Sequence, residues 1–262
     1  MNLGIEGKIA LVGASANGLG LATAQRLAEE GCHVALCDFD EPSLRKAEED
    51  LNGSSSGDVK GWHVNFKDAD SIGSLLTGVL DWRGHVDILV TNSGGPPPGT
   101  FDDATDEKWQ AAFELTFLSA VRLIRGVLPG MKSNKWGRII NFTSRTLREP
   151  IDNLMISNAV RLAVAGMAKT LAPEVAPYGI TVNNLGPGPT ATARTLELAA
   201  ARAAKKGITP EDELRQTEAR IPVGHLADPE DQAAVAAFLA SEAARHITGA
   251  SLIVDGGETR AL

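Results

Sequence analysis

Apolar positions along this chain follow two alternating periods. Short continuous apolar runs stand at 9–12, 33–38, 60–65, 86–91, 138–143, 179–184 and 251–255. Runs of that length between polar or glycine-rich turns predict buried strands. Between them apolar residues recur at three- and four-residue spacing, which predicts helices. Leu21, Ala24, Leu27 and Ala28 share one face of a first helix, and Gly31 stops it. Further helices are predicted over 41–51, from Asp68 to about Arg83, from Thr105, over 153–176 and over 229–243. In the Thr105 helix, Trp109, Phe113, Phe117, Val121 and Ile124 follow one another before Pro129 and Gly130 end it. The helix over 153–176 is apolar nearly all round, so it is expected to be buried, a partner subunit being one cover. A charged segment of helical character runs up to Arg220. The regular alternation predicts an α/β fold: one doubly wound parallel sheet with helices on both faces, in a single domain over 1–262.

The stretch from Lys8 to Gly31 carries the first chemistry. Its strand meets a turn of small residues, Gly13 to Gly20, and the helix follows at once. Glycines at such a turn let backbone N–H groups approach a pyrophosphate, and the helix N-terminus adds its positive end. Gly18 and Gly20 are the spacing that matters most, although any tight strand–helix turn uses glycine. In sheets of this kind the ligand lies beyond the carboxyl ends of the strands. The loops there are 14–20, 38–40, 65–67, 92–95, 144–152 and 186–192.

Composition narrows the partners. The net charge is −8 over 262 residues, which leaves no basic stripe for nucleic acid. No apolar run is long enough to span a bilayer, and no signal peptide is visible, so a cytoplasmic protein is expected. Cys32 and Cys37 read as buried reduced thiols. The five histidines are scattered without ligand spacing, so no metal site is expected.

The loop TNSGG, the run APYGITVNNLGPG and the ending ITGASLIVDGG resemble the short-chain dehydrogenase/reductase family over nearly the whole chain. The resemblance implies one Rossmann-type domain with a seven-stranded parallel sheet. It also implies NAD or NADP as cofactor and hydride transfer between an alcohol and a carbonyl. Gly13, Ser15, Asn17, Gly18, Leu19 and Gly20 then surround the pyrophosphate, with Ser15 and Asn17 lining the pocket. Ungapped alignment puts Gly13 where the family has Thr, and Ala14 where it has its first Gly. Asn65 and Phe66 fall beside the adenine, Asn92 and Gly94 beside the cofactor, and Pro187, Gly188 and Thr192 near the nicotinamide. Asp38 ends the second strand, where the family selects its cofactor. A carboxylate there accepts ribose hydroxyls and repels a 2′-phosphate by on the order of 4 kcal/mol at contact and intermediate dielectric. NAD(H) is therefore expected over NADP(H).

The catalytic positions depart from the family pattern. The family carries Asn, Ser and Tyr-x-x-x-Lys; here the matching positions are Thr116, Ser144, Ser157 and Arg161. Tyr178, the only tyrosine, lies at the far end of the helix. A serine hydroxyl is a far poorer acid than a phenol, and loss of a matched general acid costs about 10²–10⁴ in rate. In the family the Lys binds the nicotinamide ribose; Arg161 keeps its proton but can still donate to those cofactor ribose hydroxyls and stabilise a developing oxyanion. Three functions stay open: an oxidoreductase with a rearranged site, a nucleotide-binding protein with little hydride transfer, and a different reaction on this scaffold. Arg145, Arg148, Arg161 and Arg194 near one mouth suit an anionic small-molecule substrate. The segment 190–220 resembles the family's substrate lid, read as a closing helical pair. The helices from Thr105 and Asn153 correspond to the family's interface, which implies a homo-oligomer, a tetramer or dimer.

Overall fold

The predicted alternation is realised as strands β1 (Ile9–Gly13), β2 (His33–Asp38), β3 (Val59–His63), β4 (Ile88–Thr91), β5 (Gly137–Phe142), β6 (Ile180–Pro187) and β7 (Ser251–Val254). The helices are α1 (Gly18–Glu29), α2 (Glu41–Asn52), α3 (Ala69–Arg83), α4 (Asp106–Ala112), α5 (Ser119–Asn134), α6 (Met155–Val175), α7 (Ala193–Lys206), α8 (Pro210–Glu218) and α9 (Pro229–Ala240). These elements come from a computed structural model that describes residues 2–261. The two terminal residues of the expected 1–262 domain lie outside the described residues.

All strands are parallel, in the order β3-β2-β1-β4-β5-β6-β7. Parallel neighbours need crossovers, and the crossover helices cover both faces. Neighbouring strand residues point to opposite faces. Val12, Leu36 and Ile140 pack with α1, α2 and α9, whereas Leu11, Ala35 and Ile139 pack with α3, α5 and α6. The order reverses between β1 and β4, and in sheets of this kind that is where a ligand lies, beyond the carboxyl ends of the strands.

Several elements differ in extent from the sequence expectation, four of them in ways that bear on the site or the core. β3 ends at His63, so Asn65 belongs to the loop after it. Pro129 and Gly130 do not stop α5, which continues to Asn134. The extra turn buries Met131 one turn beyond the buried Val127, which offsets the hydrogen bond that proline forfeits. Helix α6 begins at Met155, because Asn153 takes a left-handed φ of 61°. The Thr105 helix is interrupted by a π turn over Phe113–Leu118, which holds Thr116. An inserted residue of this kind is frequent at functional sites. Helix α6 is also less buried than expected: Met155 and Leu162 lie exposed on it.

Cys32 and Cys37 are fully buried free thiols. Burial, with Asp87 adding, pushes Cys32 up to about 12, and burial with Asp38 raises Cys37 as well. Neither thiol of the folded protein is expected to react with a disulfide reagent at pH 8, and two per chain should react in guanidinium. The folded thiols keep protons that unfolded thiols lose near pH 9. Stability should therefore fall as pH rises above 9, by about 1.4 kcal/mol per pH unit for each thiol.

Candidate active site

The glycine turn leaves β1 between β2 and β4. A Cβ on Gly13 would stand 2.3 Å from the Asn92 carbonyl oxygen, and one on Gly20 would stand 2.0 Å from that of Ala14. Both positions are closed to side chains by backbone. Ala14 takes φ 46°, a left-handed value that glycine adopts more cheaply. Ser15 corrects one expectation. Its side chain is fully buried, donates to the Val12 carbonyl at 2.9 Å and accepts from the Cys37 N–H at 2.9 Å, so it joins β1 to β2 and does not line a pocket.

Asn17 is exposed at the N-cap of α1, its side chain makes no capping bond, and the first turn holds no acidic residue. Gly18, at φ 55°, follows it, and a Cβ there would meet only Thr192, at 3.5 Å. Leu19 packs partly buried against the core. A helix N-terminus with no side-chain cap and no first-turn carboxylate, following a turn whose Gly13 and Gly20 leave no room for a Cβ, fits an anionic pyrophosphate. Asp38 sits half-buried at the end of β2, accepting from the Ala16 N–H at 3.0 Å and the Asp40 N–H at 3.1 Å. Each carboxylate oxygen has one such bond and retains acceptor capacity.

The remaining cofactor positions divide. The Asn65 side-chain oxygen already accepts from the Lys67 N–H at 3.1 Å. Phe66 is 5% exposed and belongs to the core, so its ring lines no pocket. Asn92 is half-buried beside Gly13, and Gly94 is exposed at φ 77°. Pro187 ends β6, and a Cβ on Gly188 would stand 2.5 Å from that of Asp255, so close packing by itself demands glycine there. Thr192 caps α7, accepting from the Thr195 N–H at 3.3 Å.

Arg161 is the hub. Its Nε donates to Ser157 Oγ at 3.2 Å, and its Nη1 donates to the Phe142 and Thr143 carbonyls at 3.3 and 2.8 Å. Its Nη2 donates to the Gly94 carbonyl at 3.2 Å. Four of the five guanidinium N–H groups thus meet protein acceptors. Burial, then the charge of Arg194, pushes Arg161 down to about 10, and it stays charged at neutral pH. Ser157 is buried beneath it, one helical turn away on α6. Ser144 caps a short turn after β5, its hydroxyl accepting from the Thr146 N–H at 3.2 Å. The buried Thr116 hydroxyl has no partner and lines a cavity of about 10 Å³ together with Thr91, Asn92 and Ser93.

The four arginines do not converge. Arg145 Nε lies 2.9 Å from Glu258 Oε2, and Nη2 donates to Oε1 at 3.2 Å. Arg148 is exposed and lines no part of the neighbouring cleft. Only Arg161 and Arg194 face one loop, through the Gly94 and Pro96 carbonyls. Helices α7 and α8 are joined by Lys206 and the buried Glu213 at 2.6 Å, and they form one wall of a cleft of about 830 Å³. The loop after β5 and the end of β6 form the other. Sequence reading missed the backbone carbonyls that hold Arg161. It also missed a buried ladder in which Thr91, Asn141, Asn184 and Ser251 hydrogen-bond in register across four strands. Among the described residues no cluster of three or more metal-ligating side chains is present, and no helix is long and apolar enough to cross a membrane.

The family model described as Enoyl-(Acyl carrier protein) reductase matches residues 13–259. The 3-oxoacyl-(acyl-carrier-protein) reductase FabG of Vibrio cholerae is 35% identical over 258 residues, covering 97% of this chain and 98% of the relative. The chain belongs to the short-chain dehydrogenase/reductase family. A D-beta-hydroxybutyrate dehydrogenase of Cupriavidus necator is 33% identical over 255 residues, with 97% and 98% coverage. Among solved structures, L-sorbose reductase from Gluconobacter frateurii, complexed with NADPH and L-sorbose, superposes with a TM-score of 0.95 at 33% identity, covering both chains in full. YwfH, an NADPH-dependent reductase of bacilysin biosynthesis, gives 0.93 at 28%, over 98% of this chain and all of that one. The short-chain dehydrogenase/reductase fold is thus shared along the whole length.

Proposed function

We propose that this protein is a dinucleotide-dependent oxidoreductase acting on an alcohol/carbonyl pair, with Ser144, Ser157 and Arg161 in place of a phenol-centred site. The observation that carries the reading is the Arg161 Nε–Ser157 Oγ hydrogen bond. A nicotinamide supplies hydride exchange with carbon. Gly18, Asn17, Asp38 and Thr192 are the residues that would hold the dinucleotide. Ser157 accepts from a cation that keeps its proton, so its own O–H is left to donate to a substrate oxygen. Ser144 offers a second hydroxyl, and the fixed charge of Arg161 stabilises negative charge developing nearby. Because serine is a weak acid, the proton itself comes through water or from the substrate.

Asp38 supports NAD(H) as the preferred cofactor, although two structural relatives are described with NADPH. NADH is expected to bind at least about tenfold more tightly than NADPH, and Asp38→Ala to erase that ratio, by fluorescence titration. Tighter NADPH binding would overturn the preference. Turnover of NADH with a carbonyl panel tests the oxidoreductase reading. A second reading, nucleotide binding with little hydride transfer, is favoured by the extent to which protein acceptors occupy Arg161. Binding without turnover selects it.

A homo-oligomer is part of the proposal. A groove of about 800 Å³ between α5 and α6 is lined by Phe117, Val121, Leu128, Met167 and Leu171. A second copy of this apolar face is the occupant that fits it.

A further inference from the structure

We infer that the substrate carries a carboxylate one or two carbons from its reacting carbon, and that Arg161 and Arg194 hold this carboxylate between them. The inference deepens the oxidoreductase reading and rests on it. Arg161 reaches the loop after β4 through the Gly94 carbonyl, and Arg194, from the first turn of α7, reaches the Pro96 carbonyl at 3.1 Å. Two guanidinium groups are thereby anchored to acceptors two residues apart. The four acceptors of Arg161 are all uncharged, namely one hydroxyl and three carbonyls. After burial, the positive charge of Arg194 is what lowers the Arg161 pKa, and no carboxylate among the described residues offsets it. The carboxylate paired with Arg194 is Glu197, 3.5 Å away and exposed on the same helix. Two like charges drawn to one loop repel each other, and a ligand anion between them relieves that repulsion.

The donors match. Arg161 keeps one Nη2–H, and Arg194 keeps its Nε–H, so each can serve one oxygen of a carboxylate. Arg161 also holds Ser157, the hydroxyl assigned to the reacting oxygen. One side chain bridging both places puts the anion close to the reacting carbon, which describes 2-oxo and 3-oxo acids and the matching hydroxy acids. Arg145, neutralised by Glu258, takes no part.

The test uses the intact protein saturated with NAD⁺, which cannot reduce a ketone, so binding is read without turnover. Calorimetry compares pyruvate and acetoacetate with their methyl esters. The acids are expected to bind at least about tenfold more tightly than the esters, and Arg194→Gln to remove that difference while NAD⁺ affinity stays within about twofold. Equal affinity of acid and ester overturns the inference and leaves the oxidoreductase reading standing. Loss of NAD⁺ affinity in Arg194→Gln with acid binding retained also overturns it, because the anion held is then the cofactor's phosphate. Failure of the unmodified protein to bind NAD⁺ overturns the oxidoreductase reading itself.

Discussion

Replacing Arg161 by methionine is expected to lower stability by about 3–5 kcal/mol and to weaken nucleotide binding together with it. Methionine keeps an unbranched apolar stem of similar reach but makes none of the hydrogen bonds. The Phe142, Thr143 and Gly94 carbonyls then lose a charged donor, and Ser157 loses the group that orients it. Each buried acceptor left without a partner costs about 1–3 kcal/mol. Gly94 belongs to the loop after β4, which the proposed function places beside the cofactor, so its release is expected to weaken nucleotide binding. Urea unfolding gives the first quantity and NADH titration the second. Arg161→Lys should recover part of the stability, because an ammonium reaches some of the same carbonyls. Unchanged stability in Arg161→Met would show that the guanidinium is not the clasp described.

The second large effect runs the other way. The double substitution Ser157→Tyr with Arg161→Lys is expected to raise kcat by about 10²–10⁴ while reducing stability. It installs a phenol and an ammonium four residues apart on α6, the pair that the family pattern places there. Stability falls because lysine cannot span three carbonyls and a hydroxyl at once. Single-turnover oxidation of NADH with a carbonyl panel reads the gain. A folded double variant that binds NADH yet reacts no faster would mean that proton supply does not limit this site.

Most of the sheet was legible because parallel strands covered on both faces leave unbroken apolar runs. The crossover helices leave a different period, and the register of β1 with β2 and β4 follows from those runs. What escaped is instructive. The π turn at Phe113–Leu118 preserves a four-residue spacing through Phe113, Phe117 and Val121, so periodicity cannot see it. Pro129 reads as a stop only if the burial of Met131 is unknown.

The site was legible by residue type and less so by role. Ser15 looked like a pocket residue, yet it clamps two strands. Phe66 looked like an adenine contact, yet it packs in the core. Arg145 looked like a substrate cation until Glu258, 113 residues away, supplied its partner. Arg161 was recognised by position, but three of its four acceptors are main-chain carbonyls, which no side-chain pattern encodes.

Calorimetric titration of the unmodified protein with NADH is the most direct check on the proposed dinucleotide site at the glycine turn, Asp38 and Thr192. Saturable binding of one NADH per chain, abolished by Gly18→Val, is the predicted result. Absence of saturation with either NADH or NADPH, in protein that unfolds cooperatively, would contradict it.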